Sequence, residues 1–316
     1  MSEQRITISM NVLKDCLGLG SHEQLVVVAD DDKRELAESV YEAGKRLGAE
    51  TVLMMMKERT RSGEEPPAAI AEAMAKSDVA VCITTHSMTH TAARKQAAAA
   101  GTRVATMPGM TDDMFSQGAI TADYGQVKIL TEQVAALLSG SRSVRIEKDG
   151  LSLSFSTEGR EGILSTGLYL NPGESGNLPS GEAYIAPVEG TASGSIKVDG
   201  SVAGIGALSR PMVLTVEQGR LIAAEGEGGD KLLEMLGAGD GRLLGEFGIG
   251  TNNKARITGV VLEDEKVYGT IHVAFGSNNT FGGVVAAGVH IDAVVMKPNV
   301  YLDDKLIMRG GELLQD

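Results

Sequence analysis

The sequence is poor in aromatic residues and in positive charge. Its 316 residues include no Trp, 6 Tyr and 5 Phe, and Asp plus Glu outnumber Lys plus Arg by 42 to 29, for a formal net charge of −13. A protein that tracks nucleic-acid phosphates needs clustered Lys and Arg and usually aromatic stacking platforms. The composition therefore predicts no nucleic-acid partner and requires a core of aliphatic residues and Met.

Cysteine and long apolar runs are also scarce. The two cysteines, Cys16 and Cys82, form neither a disulfide framework nor a pair with metal-site spacing. No uninterrupted apolar stretch reaches the roughly 18 residues that a membrane helix needs. The first residues, MSEQRITISMNVLKD, lack the apolar segment of a secretion signal. We expect a cytoplasmic protein without a membrane partner.

The motifs of several common enzyme classes are missing. The first predicted strand is followed by Asp-Asp-Asp-Lys-Arg and not by a Gly-rich turn, so it is not the dinucleotide site of a Rossmann domain. No GxSxG elbow is present, and neither cysteine has a histidine nearby in sequence. These absences disfavour nucleophilic hydrolases that use Ser or Cys.

Residues 1–140 alternate between apolar runs and helical patterns. The run QLVVVAD (24–30) predicts a buried strand, and residues 31–47 carry apolar side chains at helical spacing. Further strands are predicted at 51–56, 79–84 and 103–107, and helices at 66–76, 91–100, 111–117 and 121–138. Continuous apolar strands joined by helices are typical of a parallel sheet covered on both faces, so we predict a doubly wound α/β domain over 1–140.

The pattern changes after the linker-like stretch SGSRS (139–143). Short segments such as VRIEKDG, LSLSFSTEG and EAYIAP alternate between apolar and polar residues, and most of the 40 glycines separate them. This pattern is typical of antiparallel strands and hairpins. We predict a mainly antiparallel, β-rich domain over 141–316, interrupted by one helix at 230–236.

Histidine is the most informative residue type, because the chain has five. His290 lies two residues before Asp292, so on a strand both side chains face the same way, and His272 lies in a second strand-like run, GTIHVAFG. Glu182 and Glu246 lie in Gly-rich apolar segments, where an ionised carboxylate is costly to bury unless it is paired or bound to a cation. Each residue alone is more often ordinary strand structure. Together they predict a metal site in the second domain.

A second group of polar residues, THSMTHTAAR (85–94), follows an apolar strand of the first domain. The carboxyl end of a parallel strand is where ligands bind in open α/β sheets. His86 and His90 could contact a substrate there, and Arg94 could hold an anion. Helix capping by Thr91 and its neighbours explains the same residues more simply, so capping ranks first, substrate contact second and a metal third.

These motifs resemble those of the aminopeptidase T and aminopeptidase S group of metalloaminopeptidases. The resemblance covers most of the chain and is carried by EEPPAAIAEAM (64–74), THSMTHTAAR (85–94), NLPSGEAYIAPVEG (177–190), GEFGIGTN (245–252), EDEKVYGTIHVAFGSN (263–278) and HIDAVV (290–295). It implies an N-terminal α/β domain, a β-rich domain holding two divalent ions, and a homodimer. The ligands it implies are Glu182, Glu246, His272, His290 and Asp292. Where the group has a Tyr ligand, this sequence has Asn279, which we assign to substrate binding.

The group is similar in fold to the 2,5-dihydroxypyridine 5,6-dioxygenases. Those enzymes hold one iron(II) ion through two His and the Asp of the same His-x-Asp motif. A dioxygenase of this type would use His272, His290 and Asp292, with Phe275 and Phe281 flanking the site.

The sequence is therefore compatible with three hypotheses: a hydrolase, an iron(II) dioxygenase and a binding protein without enzymatic activity. We favour a hydrolase that cleaves a short peptide or another amide with zinc, cobalt or manganese, in which Glu182 or Glu246 acts as the base. The surplus carboxylates support it, since an iron oxygenase needs one, while the missing Tyr counts against it. The alternative is the iron(II) dioxygenase acting on a small aromatic molecule.

Overall fold

The computed structural model describes residues 2–314, which form two compact units. The first unit runs to Lys128 and includes Gly167–Ser180. The second unit comprises Ile129–Thr166 and the chain from Gly181 onward. The segment Gly167–Ser180 therefore belongs to the first unit although the β-rich sequence pattern has already begun before it.

The first unit is built on a five-stranded parallel sheet with the strand order β2-β1-β3-β4-β8. Strands β3 and β4 are buried along their whole length, as expected of parallel strands covered on both faces. The strands are β1 (Gln24–Asp30), β2 (Glu50–Met56), β3 (Val79–Ile83), β4 (Arg103–Thr106) and β8 (Ser175–Asn177). The parallel sheet predicted from the sequence is confirmed.

The helices of the first unit follow the predicted order, with ends shifted by a few residues. They are α2 (Arg34–Arg46), α3 (Ala68–Ala75), α4 (Ala92–Ala99) and α5 (Asp112–Ser116), preceded by α1 (Glu3–Asn11), and α6 (Tyr124–Ser139) contributes residues to both units. Neither α1 nor β8 was expected, because α1 is largely polar and β8 (SGN) carries no apolar side chain. No helix between residues 2 and 314 has the length and hydropathy of a membrane span.

The second unit contains two antiparallel sheets. One has the order β14-β13-β10-β6-β5-β18-β19-β20 and the other β12-β11-β17-β16-β15-β9-β7. The strands are β5 (Ser143–Lys148), β6 (Leu151–Ser156), β7 (Ile163–Ser165), β9 (Glu182–Ile185), β10 (Ser193–Val198), β11 (Ser201–Val202), β12 (Gly206–Ala207), β13 (Met212–Glu217), β14 (Arg220–Gly226), β15 (Leu244–Gly250), β16 (Thr270–Gly276), β17 (His290–Met296), β18 (Asn299–Leu302), β19 (Lys305–Arg309) and β20 (Glu312–Leu313), with helices α7 (Gly229–Leu236) and α8 (Val261–Asp264). The predicted β-rich fold and its helix at 230–236 are confirmed.

The two sheets of the second unit pack face to face around one apolar core. Phe155 of β6 and Phe247 of β15 meet across the core with ring centroids 5.5 Å apart. Residues such as Ile249, Ile271 and Val273 are fully buried in the same cluster. Because side chains alternate along a strand, the residues between these positions on β15 and β16 face away from the core. That second face carries the polar residues described next.

Candidate metal centre

Four adjacent strands of the seven-stranded sheet bring the five residues singled out in the sequence to one face. Strand β9 supplies Glu182, β15 supplies Glu246, β16 supplies His272, and β17 supplies His290 and Asp292. Their neighbours along each strand, among them Ala183, Phe247 and Ile291, belong to the core on the opposite face. The strand period of two residues therefore explains why these polar groups converge although the strands themselves are buried.

The ligand atoms form two adjacent groups. Glu246, His290 and Asp292 make up the first, Glu182, Glu265 and His272 the second, and within each group one donor atom per residue lies within 4.8 Å of the others. Glu246 faces both groups: its Oε1 is 3.1 Å from His272 Nε2 and its Oε2 is 3.5 Å from His290 Nε2. His272 thus lies in a different group from His290 and Asp292.

His290 is oriented as a metal ligand. Its Nδ1–H donates to the carbonyl oxygen of Ser277 at 2.8 Å, so Nε2 faces Asp292 Oδ1 at 3.4 Å and Glu246 Oε2 at 3.5 Å. An outer hydrogen bond of this kind fixes the ring and leaves the other nitrogen for the metal. The His290 side chain is 31% exposed, which gives a substrate access to this group.

The first group strongly favours a cation. Burial opposes protonation of His290, but Asp292 and Glu246 outweigh it and raise the pKa of the imidazole to about 10. Burial likewise works against ionisation of Asp292, yet His290 holds the pKa of this carboxyl group below its usual value. One nitrogen and two carboxylate oxygens suit a divalent ion such as Fe²⁺, Mn²⁺ or Zn²⁺.

His272 is placed differently from His290. It is fully buried, and its Nε2 lies 3.1 Å from Glu246 Oε1, whereas its Nδ1 has no hydrogen-bond partner within residues 2–314. Burial opposes protonation of His272, but the hydrogen bond to Glu246 and the negative charge of Glu182 outweigh it and raise the pKa of the imidazole to about 9. The Nε2–H group donates to Glu246, and no acceptor within residues 2–314 orients the ring through Nδ1. The geometry therefore fits an outer partner of the first group.

A buried lysine that the sequence reasoning did not single out fills the second group. Lys266 is 1% exposed, and its Nζ lies 2.6 Å from Glu182 Oε1 and also forms an ion pair with Glu265. Burial would lower the pKa of the Lys266 ammonium, but the two carboxylates raise it instead. In the sequence, the run EDEK (263–266) resembles a charged cluster on the protein surface, so it gives little sign of a buried lysine. Its one unusual feature is its position directly before the apolar strand that carries His272.

An aromatic wall borders the first group. The ring of Phe281 meets His290 edge to face at a centroid distance of 6.0 Å and meets Tyr184 in the same way at 5.4 Å. Phe281 therefore flanks the site as expected from the sequence. The expectation for Phe275 was wrong, because this ring is fully buried in the core on the other face of β16.

Asn279 lies in the loop between β16 and β17. Its side chain is exposed, and its backbone N–H donates to Val285 O at 3.2 Å. The preceding Asn278 is the buried residue: its side chain accepts from Val285 N at 2.8 Å and donates to Glu189 Oε1 at 3.1 Å. Asn278 thus organises the loop that supplies the Ser277 carbonyl to His290, and a role of Asn279 in substrate binding stays a prediction.

The three substrate-contact candidates of the THSMTHTAAR segment lie in the first unit. Thr91 accepts a hydrogen bond from Arg94 N and caps α4, which confirms the capping interpretation. Arg94 is half-buried and donates to Thr89 O and Ser175 Oγ, and His86 Nε2 lies 3.7 Å from Glu58 Oε1. His90 is exposed. Substrate contact by His86, His90 and Arg94 stays a prediction.

Replacing His272 tests whether it binds metal or only supports Glu246. We expect His272→Leu to bind the same number of ions per chain as the unchanged protein, with an affinity weaker by about 10–100-fold, the usual effect of losing an outer hydrogen bond. His272→Gln, which keeps a donor, should lose less. Metal titration by calorimetry measures the number of ions per chain and the affinity of each variant. If His272→Leu binds fewer ions per chain than the unchanged protein, His272 is instead a metal ligand.

Comparisons with known proteins agree with this architecture. A family model described as NicX: 2,5-dihydroxypyridine 5,6-dioxygenase matches residues 5–315. The 2,5-dihydroxypyridine dioxygenase structure from Pseudomonas putida KT2440 superposes with a TM-score of 0.83 at 17% identity, covering 100% of this chain and 99% of that one. Wild-type AmpT from Thermus thermophilus gives a TM-score of 0.73 at 17% identity and covers 99% of both chains. No curated protein matches the sequence. At this identity the two structures establish the fold. They confirm the fold class predicted from the sequence and its resemblance to both the aminopeptidase T group and the dioxygenases.

Proposed function

Because the chain belongs to the 2,5-dihydroxypyridine 5,6-dioxygenase (NicX) family, we propose that it is a ring-cleaving dioxygenase with a single iron(II) ion. The proposed ligands are Glu246, His290 and Asp292, and the proposed substrate is a small hydroxylated ring of the dihydroxypyridine class. The family reverses the order of the two enzymes weighed from the sequence, in which the hydrolase came first.

The observation that carries the proposal is the asymmetry of the two ligand groups. The first has a histidine oriented by an outer hydrogen bond, as metal ligands are. The second already contains an ammonium group, and no acceptor within residues 2–314 orients its histidine through Nδ1. One ion fits this arrangement better than two. The ligand set of one histidine and two carboxylates differs from the two-histidine set that the resemblance implied.

The surroundings of the first group suit an aromatic substrate. Phe281 lies beside His290 and Tyr184 lies beside Phe281, and aromatic side chains of this kind stack on flat rings. The partial exposure of His290 leaves room for a ring to approach the ligands.

Bound iron(II) would supply the electron density that lets oxygen react with an organic ring. Overall, one O₂ is added and one ring carbon–carbon bond next to a hydroxyl-bearing carbon breaks, so no external reductant is consumed. A hydroxyl group of the substrate must give up its proton on binding. Glu182 is the proposed base, because its Oε2 is buried and accepts no hydrogen bond within residues 2–314, while Lys266 holds its Oε1 in place.

The decisive experiment measures metal content and two activities on the same protein. The chain is purified without oxygen, loaded with Fe²⁺, Mn²⁺, Co²⁺ or Zn²⁺, and assayed for oxygen uptake with 2,5-dihydroxypyridine and for cleavage of aminoacyl amides. We expect about one iron per chain with oxygen uptake, and no uptake by Asp292→Asn, which keeps the side-chain volume but removes the charge. Peptide cleavage by a protein holding two zinc, cobalt or manganese ions would overturn the proposal.

The second candidate is the two-metal hydrolase. One observation favours it: the two oxygens of Glu246 face the two histidines, as a carboxylate between two ions would. In that enzyme Glu182 would act as the general base or bind the second ion, and Lys266 would have to leave its place. The same experiment separates the candidates, since the hydrolase requires a second ion and no oxygen.

A further inference from the structure

We propose that the ammonium group of Lys266 is a built-in cation that occupies the second ligand group and limits this protein to one metal ion. The inference rests on the proposed metal site at Glu246, His290 and Asp292 but not on the reaction catalysed there. It assigns a role in metal stoichiometry to a residue that lies outside the proposed ligand set.

The position of Lys266 is that of a bound cation, not of a surface side chain. Its Nζ lies 2.6 Å from Glu182 Oε1 and pairs with Glu265, and the side chain is 1% exposed. A compact ammonium ion loses its hydration when it is buried and is tolerated only with ionic partners. The group Glu182, Glu265 and His272 is also a set of donors that could hold an ion, so the ammonium sits among potential metal ligands.

The backbone around Lys266 holds this arrangement. Its N–H donates to Glu263 O at 3.0 Å, and its carbonyl accepts from Asn252 N at 2.9 Å. Buried Asp264 accepts from Thr258 N at 2.6 Å and from Gly259 N at 2.9 Å, which ties the short helix α8 to the preceding loop. The lysine is therefore pre-positioned by hydrogen bonds on both sides along the chain.

An ammonium ion and a divalent ion compete for the same carboxylate oxygens. With Lys266 in place, a second ion would have to approach a fixed positive charge and displace it from Glu182. Without Lys266, the buried Glu182 and the half-buried Glu265 would lose their ammonium partner, which is costly unless another cation enters. Glu246 would then have an ion on each side.

The test replaces the charge and counts ions. Lys266→Met keeps much of the side-chain volume and removes the ammonium, whereas Lys266→Arg keeps the charge as a matched control. Each protein is equilibrated with Mn²⁺ and with Zn²⁺, and metal per chain is measured by mass spectrometry alongside the melting temperature with and without metal. We expect one ion in the unchanged chain and in Lys266→Arg and two in Lys266→Met, whose melting temperature should rise more on adding metal.

Two ions in the unchanged chain would overturn the inference, and so would one ion in a folded Lys266→Met protein. If Lys266→Met folds only when metal is present, its count is taken in that state. If it does not fold at all, the count is taken on Lys266→Gln, which also removes the charge, and one ion in that variant would equally overturn the inference. If the unchanged chain binds one ion but takes up no oxygen, the proposed dioxygenase activity is wrong and the role of Lys266 is unaffected. If it binds two ions and takes up oxygen, the role of Lys266 is wrong and the dioxygenase activity is unaffected.

Discussion

His290→Ala is expected to lose its metal ion while the protein stays folded. The residue supplies the one nitrogen of the proposed ligand set, held in place by the Ser277 carbonyl. Loss of an outer partner alone weakens metal binding by about 10–100-fold, so loss of a direct ligand should weaken it by at least about 100-fold. Oxygen uptake should disappear with the metal. Circular dichroism should be unchanged, because the side chain is partly exposed and lies outside the core.

Two controls sharpen this result. His86→Ala removes an imidazole from the first unit and should leave the metal count unchanged, since His86 contacts Glu58 and none of the proposed ligands. His290→Ala with added imidazole tests whether the lost group is a ligand, because a free ligand can restore binding at an emptied position. An unchanged metal count in His290→Ala would refute the proposed ligand set.

Gly248→Ala is expected to disrupt the site from a position that carries no functional group. Gly248 pairs directly with His272 across β15 and β16 and lies on the same face of the sheet. A Cβ atom at this position would lie 2.1 Å from His272 Nε2, so the imidazole would have to move away from Glu246. We expect the free energy of unfolding to fall by about 1–3 kcal/mol, as for other overpacked sites. Metal affinity should fall as well.

The matched control is Gly239→Ala. Gly239 has a φ of −91° and a ψ of −146°, and apart from its chain neighbours no atom within residues 2–314 lies within 4 Å of the position of a Cβ, so an added methyl group disturbs no packing. It should change the free energy of unfolding by less than about 1 kcal/mol, because the cost is confined to the backbone conformation of one residue. Urea denaturation measures both variants. Equal effects of the two substitutions would show that close packing against His272 is unimportant.

Strand periodicity made much of the site predictable. His290 and Asp292 were expected on one face because they are two residues apart on a strand. In the structure, His290 Nε2 lies 3.4 Å from Asp292 Oδ1, and the core lies on the other face of the strand. Glu182 and Glu246 were singled out because buried carboxylates need a cation, and they have cationic or imidazole partners. Local rules of this kind need no knowledge of which strands are neighbours.

The same local rules failed where the environment depends on distant segments. Phe275 was expected beside the site, but the strand period places it in the core, whereas Phe281 in the following loop lies beside His290. The strand β8 was not expected, since its three residues carry no apolar pattern, and the edge of β4 supplies its hydrogen-bond partners. Backbone pairing, not side-chain burial, makes this strand.

The sequence by itself determined the resemblance to the aminopeptidase T group and the related dioxygenases, and the parallel and antiparallel sheets. It also singled out Glu182, Glu246, His272, His290 and Asp292, because apolar periodicity and short motifs are properties of neighbouring residues. The tertiary structure alone decided how the charges are distributed among them. Lys266 and Glu182 are 84 residues apart in sequence, and only the packing of their segments brings an ammonium ion to that carboxylate. The different roles proposed for His272 and His290 have the same origin, since they depend on which acceptor each Nδ1 meets in the folded chain.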